Sequence, residues 1–187
     1  MTSLNEWFEK GMTSKEYIES MKVHKENLLS IYEGFRLPKE DEPFFKALSE
    51  KGLRAIVITE DWCGDAMVNT PILLRLAEAT NIDVHMVLRD QNLELMDQYL
   101  TNGAARSIPI FIFIDKKGVE VAKWGPRAPK VQEMVTEMRS GLPPKEDPSF
   151  DEKQKEVYAK LQAAFTQDTS VWETIYSSLK STLNTVL

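Results

Sequence analysis

One cysteine, Cys63, stands among 187 residues, and that scarcity excludes more than any other count. A single thiol cannot close an internal disulfide or supply a cysteine-based zinc cluster, so disulfide scaffolds and zinc ribbons are ruled out. Long apolar runs are also missing. No window approaches the roughly 18 uninterrupted apolar residues that cross a bilayer, and the N-terminus, MTSLNEWFEKGMTSKEY, has no basic segment ahead of an apolar one. We therefore expect a cytoplasmic protein with no membrane partner. Positive charge is in deficit, with 23 Lys and Arg against 29 Asp and Glu for a net of −6, the opposite of a nucleic-acid footprint. The two histidines form no Ser/His/Asp or Cys/His pattern, and no phosphate-cradling glycine loop occurs. No nucleic acid and no cofactor are expected.

What is present suits one globular core with appended helices. Apolar residues make up 42% of the chain, in the ordinary globular range. Ser3 caps a first helix ending near Gly11, and Thr13 with Glu16 forms a capping box ahead of a longer run. In that run Tyr17, Ile18, Met21, Leu28, Ile31, Tyr32 and Phe35 recur at steps of three or four, so one amphipathic helix is expected to extend to Leu37-Pro38. A third helix follows through Phe44, Phe45 and Leu48 to Gly52.

From Leu53 the pattern changes to Leu-Arg-Ala-Ile-Val-Ile, a short β-branched run that reads as a buried strand. A helix over 64–80 follows, with Pro71 expected to kink it. Next come a strand at 84–88, a helix over 93–100, a strand at 110–114, a turn at Asp115-Lys116-Lys117-Gly118, a returning strand at 119–123 and a helix over 129–139. The order β-α-β-α-β-β-α needs one crossover and one hairpin, which an α/β mixed sheet covered by helices satisfies. We divide the chain into an N-terminal helical extension (1–50), the α/β domain (51–140), a Gly- and Pro-rich linker (141–149) and a C-terminal helical extension (150–187). The last two helices carry the stripes Val157, Tyr158, Leu161, Phe165 and Trp172, Ile175, Tyr176, Leu179, Leu183. Packing back onto the domain is the first reading of these stripes, and a homodimer or partner surface is the second.

Chemistry centres on Glu60-Asp61-Trp62-Cys63-Gly64-Asp65-Ala66, between the first domain strand and its helix. A thiol at a helix N-terminus faces unsatisfied N–H groups and the positive end of the dipole, which favours the thiolate. The acids Glu60, Asp61 and Asp65 would need His24 or His85, in other elements, to hold a metal, so no metal site is expected. Trp124-Gly125-Pro126-Arg127 reads as the end of the last strand and a turn into the next helix.

These features, with the Ile108-Pro109 step, the Gly118 turn and Gly125 after the final strand, resemble thioredoxin over roughly residues 50–140. The resemblance implies a thioredoxin-like fold in which Cys63 is the nucleophile, Trp62 shields it, and Pro109 is cis and faces the thiol. It further implies that Gly64, Asp65, Ala66 and Ile108 line the substrate groove, and that Arg106 matches the arginine three positions before the proline. The chain also resembles a group of single-cysteine thioredoxin-like proteins from bacilli and their relatives, in which bacillithiol would be the natural regenerant.

Two departures bear on mechanism. Ala66 occupies the position of the resolving second cysteine, and Val57 that of a buried carboxylate that assists resolution. Both belong to one discarded step, so the dithiol cycle is absent and an external thiol must clear any mixed disulfide. The reading is a monothiol oxidoreductase acting on a protein or low-molecular-weight disulfide, with a non-catalytic docking module as the alternative. A catalytic role predicts a depressed thiol pKa, although Asp65 opposes the helix dipole and leaves the sign of the net shift open.

Overall fold

The computed structural model describes all 187 residues. In chain order it contains α1 (Leu4–Lys10), β1 (Met12–Thr13), α2 (Ser14–Ser20), α3 (Lys25–Gly34), α4 (Glu42–Ser49), β2 (Arg54–Thr59), α5 (Gly64–Thr80) and β3 (Asp83–Leu88). There follow α6 (Leu93–Met96), β4 (Ile110–Ile114), β5 (Glu120–Trp124), α7 (Pro129–Ser140), α8 (Phe150–Gln167) and α9 (Thr169–Asn184). The five strands form one mixed sheet in the order β1-β3-β2-β4-β5. Strands β2 and β3 are parallel, while β1 on β3, β4 on β2 and β5 on β4 are antiparallel.

Alternation along the central strands explains how the sheet is covered. Ala55, Val57, Phe111 and Phe113 belong to the larger core, which includes residues of α5, α3 and α9. Ile56, Ile58, Ile110, Ile112 and Ile114 join a smaller cluster with Trp7 and Phe8 of α1 and Leu95 and Met96 of α6. Both faces are apolar, so these strands read as near-continuous hydrophobic runs. Each fully buried Ile or Val contributes about 1.5–3 kcal/mol.

The expected long helix after Thr13 is instead two helices. The Thr13/Glu16 capping box opens α2, but the chain breaks at Met21–His24, where His24 adopts φ 60°. Asp61 Oδ2 accepts hydrogen bonds from the Lys22 and Val23 amides, at 2.8 and 3.3 Å. A tertiary partner thus satisfies backbone donors that the helix would have used, and Tyr17, Met21, Leu28, Ile31 and Phe35 remain buried on either side of the break, with Ile18 and Tyr32 half-buried. Strand β1 was not expected from sequence, being two residues long and defined only by its pairing with His85 and Met86. Helix α6 ends at Met96 rather than Leu100, and α5 continues past Pro71 to Thr80.

Packing crosses the boundaries expected at 50 and 141. Tyr17, Leu28 and Leu48 from the N-terminal segment share one core with Leu161, Phe165, Trp172, Ile175, Leu179 and Leu183 from α8 and α9. Polar ties fix the C-terminal helices: Trp124 Nε1 donates to Ser178 Oγ at 2.9 Å, and Tyr176 Oη and Lys180 Nζ both donate to Asp41, at 2.6 and 2.7 Å. The α8 and α9 stripes are covered by this chain's own core, apart from Tyr158, which stays half-exposed.

Candidate functional site

Cys63 is the N-cap of α5. Its Sγ accepts a hydrogen bond from the Ala66 amide at 3.4 Å, as an N-cap side chain does, and donates to the Ile108 carbonyl at 3.5 Å. The thiol is 9% exposed. The Ile108–Pro109 peptide bond is cis, as is Gly125–Pro126. Trp62, beside the thiol, is 48% exposed, and the Arg89 guanidinium lies over its ring at 4.9 Å.

Burial pushes the Cys63 thiol above its ordinary pKa. The Ala66 amide pulls it down, and the Asp65 carboxylate pushes it up again against the nearby Arg127. The depressed thiol expected of a catalytic cysteine is therefore not what this site produces: desolvation outweighs the helix N-terminus. Tyr17, from the N-terminal segment, donates or accepts a 3.3 Å hydrogen bond with Thr59 Oγ1. Burial pushes its hydroxyl up to about 12, with Asp61, Cys63 and Glu60 adding to the effect.

The acidic residues around the thiol are already engaged. Glu60 Oε1 accepts the Asp90 amide at 2.9 Å, and Asp61 accepts the two amides at the α2–α3 break. Asp65 makes two 2.7 Å hydrogen bonds from Arg127 Nε and Nη2, and the two side chains are only 15% and 16% exposed. Arg106 pairs in the same two-pronged way with Asp97, at 2.8 and 3.0 Å, which holds that carboxyl below the usual range. The Arg106 carbonyl accepts from Arg89 Nη1 at 3.0 Å.

Two clefts meet at the thiol. One, of about 440 Å³, is lined by Trp62, Cys63, Asp65, Arg106, Ser107 and Ile108 together with Thr101, Arg89, Pro126, Arg127 and Gln132. The other, of about 390 Å³, shares Trp62, Cys63, Gly64, Asp65 and Arg127 and is completed by Tyr158, Leu161, Gln162 and Phe165 of α8, with His24, Met67 and Arg139. Of the residues singled out from sequence, Trp62, Cys63, Asp65, Arg106 and Ile108 share the first cleft and Gly64 lines the second. Ala66 is buried behind the sulfur, and Pro109 follows Ile108 without lining either cleft.

Arg89 was not expected at the thiol, Arg127 was read only as part of a turn, and the α8 residues only as a packing stripe. Gly125-Pro126 before Arg127 was the one available signal. Gly125 has φ +127°, and a Cβ there would lie 2.2 Å from the Pro109 carbonyl oxygen. The loop carrying Arg127 therefore presses directly against the loop carrying Pro109. Val57 lies fully buried among apolar core residues.

Comparison with known proteins bears on the family. No curated protein matches the chain. A crystal structure of a protein of unknown function from Pseudomonas aeruginosa is similar over 95% of this chain and 99% of its own, with 17% identity and a TM-score of 0.59. An HIV epitope-scaffold is similar over 94% and 98%, with 16% identity and a TM-score of 0.59. At these identities the likeness concerns the fold alone. The profile of the thioredoxin family matches residues 11–139, well over half the chain, and with the thioredoxin-like sheet and helices described above, the chain belongs to the thioredoxin family.

Proposed function

We propose that this protein is a monothiol thiol–disulfide exchanger whose single nucleophile is Cys63. The observation that carries the reading is the setting of the sulfur, capping α5 between the Ala66 amide and the Ile108 carbonyl and opening onto two clefts. In the first step Cys63 attacks one sulfur of a disulfide RS–SR′. Cys63 reacts through its minor thiolate form: a Cys63–S–S–R bond forms, the S–S bond of the substrate breaks, and R′S⁻ leaves and takes up the proton that Cys63 released, departing as R′SH. In the second step an external thiolate attacks the R sulfur, giving a new disulfide and restoring Cys63. Substrates are protein or low-molecular-weight disulfides, and the setting is the cytoplasm, where free thiols are plentiful. Incubating the protein with a disulfide and recording its mass tests this: a single reversible adduct, lost in Cys63→Ser, is expected, and its absence would overturn the reading.

A second reading, a docking module that retains the groove without turnover, is favoured by the burial of the thiol and its raised pKa. Under it, capture of protein partners is the same for wild type and Cys63→Ser and is insensitive to reductant.

A further inference from the structure

We infer that the small thiol exchanged at Cys63 is anionic, a carboxylate-bearing low-molecular-weight thiol held by Arg89, Arg106 and Arg127. The inference rests on the monothiol reading and names its substrate class. In a chain of net charge −6, the first cleft turns guanidinium groups inward: its charged lining consists of three arginines and the single carboxylate of Asp65, while the carboxylates that pair with Arg89 and Arg106 lie outside the lining. The arginines come from different segments, after β3, before β4 and after β5, so no one helix or turn accounts for their convergence on the sulfur.

Each guanidinium is held along its Nε side by an aspartate, and two are tied at Nη1 as well, Arg89 to the Arg106 carbonyl and Arg127 to Gln132. Asp90 Oδ1 accepts from Arg89 Nε at 2.9 Å and forms an ion pair with Nη2, and Asp97 accepts from Arg106 Nε and Nη2. Neither Asp90 nor Asp97 lines the cleft. Arg127 is fixed by Asp65 and by Gln132 Oε1 at 3.0 Å. A guanidinium carries five N–H donors, so each keeps donors free, and Arg106 Nη1 has no partner at all. Arginines already immobilised by aspartate lose little freedom on meeting a carboxylate, which favours the planar two-pronged pairing of such groups. The volume, about 440 Å³, is in the range of small-molecule sites.

The test uses three methanethiosulfonates that deliver an ethyl, a 2-sulfonatoethyl or a 2-(trimethylammonium)ethyl group. All share one reaction, in which the Cys63 thiolate displaces methanesulfinate and forms a mixed disulfide; the delivered groups differ in bulk as well as charge, and the dependence on salt isolates the charge. Rates are divided by those of 2-mercaptoethanol with the same reagents. At low ionic strength the anionic probe should be favoured over the cationic one about tenfold, and added salt should compress that ratio by screening. Arg106→Gln should reduce it to about threefold and Arg89→Gln/Arg106→Gln should bring it close to one, while Lys145→Gln in the exposed 141–149 segment keeps the wild-type ratio. The salt series reads the same interaction without any substitution. Reaction with all three probes at equal normalised rates, or a ratio unchanged in the double variant, overturns the anionic assignment and leaves the monothiol reading standing. Failure of all three to react overturns both.

Discussion

Arg127 grips Asp65 with two hydrogen bonds of 2.7 Å, one residue past a cis-proline and two residues past the only thiol in the chain. Read from sequence alone, Asp65 is a charge that opposes the thiolate. In the folded protein most of that charge is answered by a guanidinium whose own attraction for the sulfur acts in the opposite direction.

The pair makes the reactivity of Cys63 adjustable in either direction. Asp65→Asn removes a charge that raises the thiol pKa and leaves Arg127 unopposed, so the pKa should fall. Arg127→Gln leaves the carboxylate unopposed, and the pKa should rise. Alkylation rates at pH 7.5 should differ between the two variants by about tenfold. Arg127→Gln should also lose about 2 kcal/mol of stability, because it strands a largely buried carboxylate.

The wild-type thiol should titrate late. The rate of iodoacetamide modification is expected to climb with pH and to inflect above the ordinary cysteine value of about 8.5. An inflection near neutrality would show that the helix N-terminus, rather than burial, governs the sulfur.

Gly125 should tolerate no side chain. Gly125→Ala combines φ +127° with a Cβ at 2.2 Å from the Pro109 oxygen, and should cost about 3 kcal/mol or more in chemical denaturation. If the substituted chain still folds, displacement of the Pro109 loop should slow the modification of Cys63.

The C-terminal helices should be inseparable from the α/β core. Ile175→Ala, at a fully buried position in α9, is expected to cost about 3 kcal/mol in a single unfolding transition that includes the sheet. Two transitions, with only the second unaffected, would show instead that α8 and α9 unfold on their own.

Asp41 ties α9 to the start of α4, and hydrogen bonds from Lys180 and then Tyr176 lower its pKa. A carboxylate depressed in the folded state contributes stability above its unfolded pKa and loses it as pH falls through the folded one. Asp41→Asn should therefore cost about 1 kcal/mol near pH 6. The gap between wild type and variant should close progressively below about pH 4.

The elements carried by local periodicity were legible in the chain. The β2 run, the α5 segment, the hairpin at Gly118 and the two C-terminal stripes all lie within a few residues of where their patterns put them. Elements defined by distant partners were not. The break between α2 and α3 depends on the Asp61 carboxylate, about 40 positions away, and β1 exists only through its pairing with β3. The site divides in the same way. Trp62, Cys63 and Ile108 belong to recognisable local motifs, whereas Arg89 and Arg127 gain their meaning from a cleft that forms only once four segments converge. Composition likewise counts the Asp65 charge but does not reveal its partner.

Trp62 gives the site its own optical signal. The other three tryptophans, Trp7, Trp124 and Trp172, are buried, while the Trp62 indole stands half in water beneath the Arg89 guanidinium, in the cleft it shares with the only thiol. Collisional quenchers in solution will reach one emitter out of four, and it is the one adjacent to Cys63. Trp62 lines both clefts onto which the sulfur opens, so occupancy beside Cys63 should be readable in the unlabelled wild-type protein as a change in its fluorescence.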